Sequence, residues 1–139
     1  MKKDKWTTAD IPDLTGKIII VTGGNSGLGY ESVKAFAAKG AEVILASRSI
    51  EKGETARTEI RKSNPKGKIV VMQLDLMDLG SIKGFADEFI GGYDQLNVLM
   101  NNAGIMFTPY FLTKSGFEGQ MGTNHLGHFA LTGQLLDLI

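Results

Sequence analysis

The feature that most limits what this chain can fold into is the cluster Thr22-Gly23-Gly24-Asn25-Ser26-Gly27-Leu28-Gly29. It follows Lys17-Ile18-Ile19-Ile20-Val21-Thr22, a short, almost wholly apolar and β-branched run that reads as a strand covered on both faces. Beyond it, Val33, Phe36 and Ala37 recur at helical spacing between Tyr30 and Lys39, and Gly40 stands where a helix C-terminal glycine belongs. A strand that passes into a helix through this many glycines can bring two backbones closer than side chains allow.

The alternation then repeats. Glu42 to Ser47 reads as a second strand, and Ile50 to Lys62 as a polar surface helix stopped by Asn64-Pro65. Lys68 to Leu74 is a third strand. Asp78 suits the N-cap of a helix that reaches Ile90 and is ended by Gly91-Gly92. Leu96 to Met100 is a fourth strand, and Phe117 to Ile139 reads as mostly helical, although Gly119, Gly122 and Gly127 weaken that expectation. Strands and helices alternating at this spacing imply right-handed βαβ units. The expected fold class is α/β, a doubly wound parallel sheet of Rossmann type that stops after its fourth strand and the following helix.

Charge and composition exclude several functions. Lys plus Arg equal Asp plus Glu at 15 each, so nothing favours a polyanionic partner such as nucleic acid. With no cysteine, thiolate metal sites and cysteine nucleophiles are ruled out, and a reducing compartment fits. The basic start Met1 to Trp6 leads into polar Thr7-Thr8-Ala9-Asp10, which is not a signal peptide, and no stretch is long enough to span a membrane. A cytoplasmic protein is the expectation.

The glycine cluster carries the chemistry. A parallel strand delivers its C-terminal end to the crevice where such sheets bind ligands, and the next helix offers unpaired N–H groups and a partial positive charge there. A pyrophosphate suits that setting, and the absence of side chains at Gly23, Gly27 and Gly29 lets it reach the backbone, with Asn25, Ser26 and Leu28 completing the loop. The spacing Gly23-x-x-x-Gly27-x-Gly29 differs from G-x-G-x-x-G, and Tyr30 stands where a phosphate-loop nucleotidase needs lysine. The bland alternative is a tight strand-to-helix turn with no ligand.

Three further signals follow in order: Asp75-Leu76 after the third strand, Asn101-Asn102-Ala103-Gly104 after the fourth, and Asn124-His125-Leu126-Gly127 in the last helix. With the glycine loop they resemble the short-chain dehydrogenase/reductase family from about Leu14 onward. The stretch Thr123 to Phe129 is similar to the branch of retinol dehydrogenases and protochlorophyllide reductase-like enzymes. The resemblance implies that residues 17–139 are the N-terminal portion of a dinucleotide-binding domain, after a lead-in over residues 1–16. It implies that Asp75 accepts from the adenine amino group with Leu76 against the ring, and that Asn102, Ala103 and Gly104 line the adenosine ribose and nicotinamide side. A capping role for Asp75 and a strand-bridging role for Asn101 or Asn102 are the structural alternatives. Asn124 matches the asparagine that supports a proton-relay water in the family.

Cofactor choice turns on Ala46-Ser47-Arg48. An NAD enzyme wants a carboxylate at the end of the second strand and an NADP enzyme a cation. Ser47 replaces the carboxylate and Arg48 offers a planar, bidentate phosphate partner, so NADP(H) is favoured over NAD(H).

Two spellings mislead. Tyr30-Glu31-Ser32-Val33-Lys34 matches the family's Tyr-x-x-x-Lys pair but sits beneath the pyrophosphate loop, not beside the nicotinamide. His125 and His128 lack a third ligand at sensible spacing, and no metal is expected.

The family's catalytic serine and Tyr-x-x-x-Lys pair belong after a fifth strand, which this chain does not reach. The expected activity is therefore alcohol–carbonyl interconversion by hydride transfer, represented here by its cofactor-binding half. A non-catalytic dinucleotide-binding or interaction module is the alternative. The substrate is expected to be a small alcohol or ketone, with Met106, Phe107, Tyr110 and Phe111 hinting at a lipophilic one. An apolar fourth strand left at a sheet edge predicts a covering partner, either a homo-oligomer or a complementary C-terminal fragment.

Overall fold

The computed structural model describes residues 5–139, so residues 1–4 of the lead-in lie outside the described residues. Four strands, β1 (Ile18–Thr22), β2 (Glu42–Ser47), β3 (Lys68–Gln73) and β4 (Val98–Met100), form one sheet in the order β3-β2-β1-β4. Every neighbouring pair is parallel, with Ile20 opposite Ile44 and Leu99, and Ile44 opposite Val70. The helices α1 (Gly27–Ala38), α2 (Ile50–Ser63) and α3 (Leu79–Gly92) each link consecutive strands, and α4 (Gly119–Met121) and α5 (Gly127–Leu135) follow β4. The doubly wound α/β sheet expected from the sequence is therefore the fold.

Strand side chains alternate between two apolar layers. Ile20, Ile44, Ala46 and Met72 pack with Ile82, Phe85, Phe89, Leu131 and Leu135 of α3 and α5. Ile19, Val21, Val43, Leu45 and Ile69 pack with Val33, Ala37, Ala56 and Ile60 of α1 and α2. Both faces are covered, which is why the strands read as unbroken apolar runs.

Several boundaries differ from those expected. The first turn of α1 begins inside the glycine cluster, at Gly27 rather than Tyr30. Strand β4 is confined to Val98–Met100 because Leu96 N–H bonds to Leu138 O at 2.7 Å, while Asn97 closes on Ile18 through both its backbone and its side chain. Gly91-Gly92 forms the last turn of α3 instead of following it, and Tyr93 caps it, stacking on Phe89 at 4.7 Å.

The final helical region shows why its glycines are there. A Cβ at Gly119 would enter the Phe111 ring, one at Gly122 would lie 2.7 Å from Thr113 Cγ2, and one at Gly127 would lie 2.5 Å from Leu76 O. These glycines allow close packing at the cost of helix propensity. Between α4 and α5 the backbone widens into a π segment, Gly122–Leu126, with Gly127 N–H bonding to Gly122 O. Such bulges are frequent at functional sites.

Candidate functional site

The sheet order reverses at β1, because β2 and β3 lie to one side and β4 to the other. Such a switch point opens a crevice beyond the strand C-termini. A cleft of about 450 Å³ lies there, with walls from the glycine loop, the ends of β2 and β3, the turn after β4 and the π segment.

The glycine loop folds as its composition requires. Gly23 (φ 65°) and Gly27 (φ 55°) occupy the left-handed region that side chains disfavour. At Gly29 a Cβ would collide with the Gly23 carbonyl and approach Asn102 Nδ2 to 2.6 Å, so only a residue without a side chain lets the helix meet the loop and the Asn102 amide here. Ser26 precedes α1 in an extended conformation and makes no side-chain cap, whereas Ser49 caps α2 and Asp78 caps α3. The N–H groups opening α1 are thus left for something else.

At the end of β2, Ser47 is buried with its hydroxyl donating to Ser49 O, and exposed Arg48 reaches Met77 Sδ at 3.9 Å. Lys52, on the first turn of α2, lines the same wall. After β3, Asp75 Oδ1 accepts from Met77 N–H at 2.9 Å, and its own N–H bonds to Ser81 Oγ. The helix cap is Asp78, which accepts from Gly80 N–H at 2.8 Å. Lys114, 2.6 Å from Asp78, and then that N–H hold the Asp78 carboxyl below its ordinary range.

The β4 turn hangs on Thr22. Its buried hydroxyl accepts from Asn102 N–H and Ala103 N–H, both at 2.9 Å, and Asn102 Nδ2 donates to Thr22 O. Asn102 thus bridges β1 and β4 while lining the cleft with Ala103 and Gly104; Asn101 instead bonds to Thr132. Asn124 grips the Ile105 peptide at both ends, Oδ1 accepting from its N–H and Nδ2 donating to its carbonyl, each at 2.8 Å. His128 is buried, with Nε2 2.8 Å from Thr22 Oγ1 and Nδ1 3.0 Å from Asn124 O. Burial pushes its pKa below the ordinary 6.5, against the opposing pull of the Asn124 carbonyl.

Most residues expected at the site meet in this cleft: Gly23, Asn25, Ser26 and Leu28; Ser47 and Arg48; Asp75 and Leu76; Asn102, Ala103 and Gly104. Gly27 and Gly29 shape the loop from behind, and Asn124 sits just outside the walls, its Oδ1 3.4 Å from where a Gly104 Cβ would lie. Tyr30 packs against the apolar layer under α1, away from the cleft. Ser49, Lys52, Leu74, Met77, Ile105 and Thr123 also line the cleft, beyond the residues expected from the sequence. The position of Lys52 four residues after Arg48, at the start of a helix, was the available signal for one of them.

Residues 17–139 match the family model for short chain dehydrogenases. The chain belongs to the short-chain dehydrogenase/reductase family. Human retinol dehydrogenase 12 is 46% identical over 124 residues, covering 89% of this chain and 39% of that protein. The crystal structure of an uncharacterised protein from Mycobacterium paratuberculosis superposes with a TM-score of 0.85 at 48% identity, covering 96% of this chain and 46% of that one. RhlG of Pseudomonas aeruginosa, solved as an NADP active-site complex, gives a TM-score of 0.75 at 28% identity, covering 91% and 49%. The chain spans about two fifths of the length of the curated relatives it matches, at 43% and 39%. Among the described residues no helix is long and apolar enough to cross a membrane.

Proposed function

We propose that this chain holds NADP(H) in the switch-point cleft and forms the cofactor-binding portion of an oxidoreductase that interconverts an alcohol and a carbonyl. The observation that carries the reading is the backbone cradle at Gly23–Gly29, where a Cβ would fill the space between loop, helix and β4 turn. Bound there, the dinucleotide supplies or accepts a hydride at its nicotinamide. The chain's own residues bind and orient it: the α1 N-terminus holds the pyrophosphate, Asp75 and Leu76 the adenine, and Asn102 to Gly104 the ribose side. Asn124 keeps the Ile105 peptide fixed beside this wall, and the family's proton-relay role is proposed for it on that position.

Arg48 and Lys52 share one wall at the end of β2, where Ser47 leaves no carboxylate. Two cations at that place support a 2′-phosphate over a bare ribose hydroxyl. Exposed Met106, Phe107 and Tyr110, after the β4 turn, support a lipophilic substrate. Val98 on the outer strand and Phe129 on α5 are exposed as well, which supports a covering partner, a second copy or a complementary C-terminal segment.

Titrating NADPH and NADH into the protein tests the cofactor assignment. NADPH is expected to bind more tightly, and Arg48→Ala to weaken NADPH about tenfold or more while sparing NADH, the loss of a hydrogen bond to a charged group. Equal affinity for both, unchanged by the substitution, overturns it.

A further inference from the structure

We propose that His128 is a positioning residue for the dinucleotide cleft, a neutral imidazole protonated on Nδ1 that fixes the Thr22 hydroxyl and the Asn124 peptide together. The proposal rests on the reading of the cleft given above and extends it to a residue outside the walls.

The protons around Thr22 Oγ1 decide the tautomer. Ala103 N and Asn102 N, the latter shared with Met100 O, are each 2.9 Å away, can only donate, and are directed at the lone pairs of the hydroxyl. Its single proton must therefore point outward. Two acceptors are in reach, Met100 O at 3.4 Å and His128 Nε2 at 2.8 Å, and the shorter contact is the better hydrogen bond. Nε2 is then bare, and the ring proton sits on Nδ1, where it is donated to Asn124 O at 3.0 Å. In the opposite tautomer both contacts fail. Nε2–H would meet a hydroxyl with no free lone pair, and bare Nδ1 would face a carbonyl oxygen.

The bonds form a closed circuit. From Thr22 it runs to His128, then to Asn124 O, and through the Asn124 side chain to both ends of the Ile105 peptide. The chain returns from Ile105 through Gly104 to Ala103, whose N–H closes on Thr22. The enclosed segment, Ala103 to Ile105, is a cleft wall. His128 reaches it because it stands one turn beyond Asn124 on the helical path that the π segment enters. What sets His128 apart from a histidine that only fills the core is where its two partners lie, on Thr22 under the β4 turn and on Asn124 beside Ile105.

The test combines NMR of the ring nitrogens with NADPH titration of the wild type, His128→Gln and His128→Leu. The wild-type spectrum is expected to show the proton on Nδ1 and a bare Nε2 across the neutral range. His128→Leu should weaken NADPH about 5- to 100-fold, the effect of leaving a buried hydrogen-bonding group without its partner. His128→Gln, whose amide can accept from the Thr22 hydroxyl, should recover to within about threefold of wild type. A proton on Nε2, or a leucine variant that binds NADPH like the wild type, overturns the proposal while leaving the cleft reading intact. If His128→Leu does not fold, the tautomer and the affinity of His128→Gln decide, and a glutamine variant that loses binding counts against the proposal. A wild type that binds no NADPH overturns the cleft reading and this proposal with it.

Discussion

Replacing Thr22 with valine exchanges a hydroxyl for a methyl at a position that is 0% exposed, so hydrogen bonding changes while volume barely does. Ala103 N–H loses its partner at 2.9 Å, and His128 Nε2 loses the donor at 2.8 Å. Asn102 N–H is shared with Met100 O at 2.9 Å and keeps that bond, and Asn102 Nδ2 keeps Thr22 O. Each buried group left without a partner costs about 1–3 kcal/mol. Ala103 is only half-buried, so water recovers part of its share, and the expected loss is about 2–4 kcal/mol. Urea unfolding should show the midpoint fall with an unchanged slope, and the thermal midpoint should drop by roughly 6–15 °C for a domain of this size. Thr22→Ser keeps the hydroxyl and should cost about 1 kcal/mol for the lost methyl. A valine variant within about 0.5 kcal/mol of wild type, or a serine variant as damaged as the valine one, would refute the account of Thr22 as the anchor of the β4 turn.

Two further outcomes are expected. Gly29→Ala drives a Cβ into the Gly23 carbonyl and to 2.6 Å from Asn102 Nδ2, neither of which can yield without moving the loop. It should destabilise by about 1–3 kcal/mol and abolish NADPH binding, and normal urea midpoints with intact titration curves would contradict this. His128 is buried with its pKa below the ordinary 6.5, so the unfolded chain binds a proton that the folded one refuses. Its contribution to stability is full above that value and declines as pH falls through the window beneath it, by at most about 1.4 kcal/mol per pH unit. Urea midpoints over this range should slope in the wild type and flatten in His128→Gln; parallel slopes would show that another group titrates.

The strands were legible because both sheet faces are covered, and an apolar β-branched run has few other uses. Their ends were less so: Leu96 looks like strand but spends its N–H on Leu138 O. In the last helix, Gly119, Gly122 and Gly127 lower propensity, and only the tertiary contacts of Phe111, Thr113 and Leu76 reveal what they allow. The glycine loop and Arg48 stood out because those residue types at those places have a specific chemistry. Lys52 did not, since a lysine on a polar helix reads as a solvated face. The Thr22–His128 bond joins residues 106 apart, and no local pattern encodes such a contact. Spelling alone would have favoured Tyr30 and Lys34, which the fold turns away.

The cleft draws its walls from separate stretches between Thr22 and Thr123, so a molecule seated in it touches the glycine loop, the ends of β2 and β3 and the β4 turn at once. Occupancy then becomes a term in the folding equilibrium: at a hundred times Kd a ligand adds about 2.7 kcal/mol, a large share of the 5–15 kcal/mol typical of a domain. If that molecule is a dinucleotide, the melting temperature is expected to rise with its free concentration and proteolytic lifetime to follow. Above Kd, each tenfold rise in a ligand that the cleft holds would add only about 1.4 kcal/mol, so supply would tune stability gradually and would not switch it.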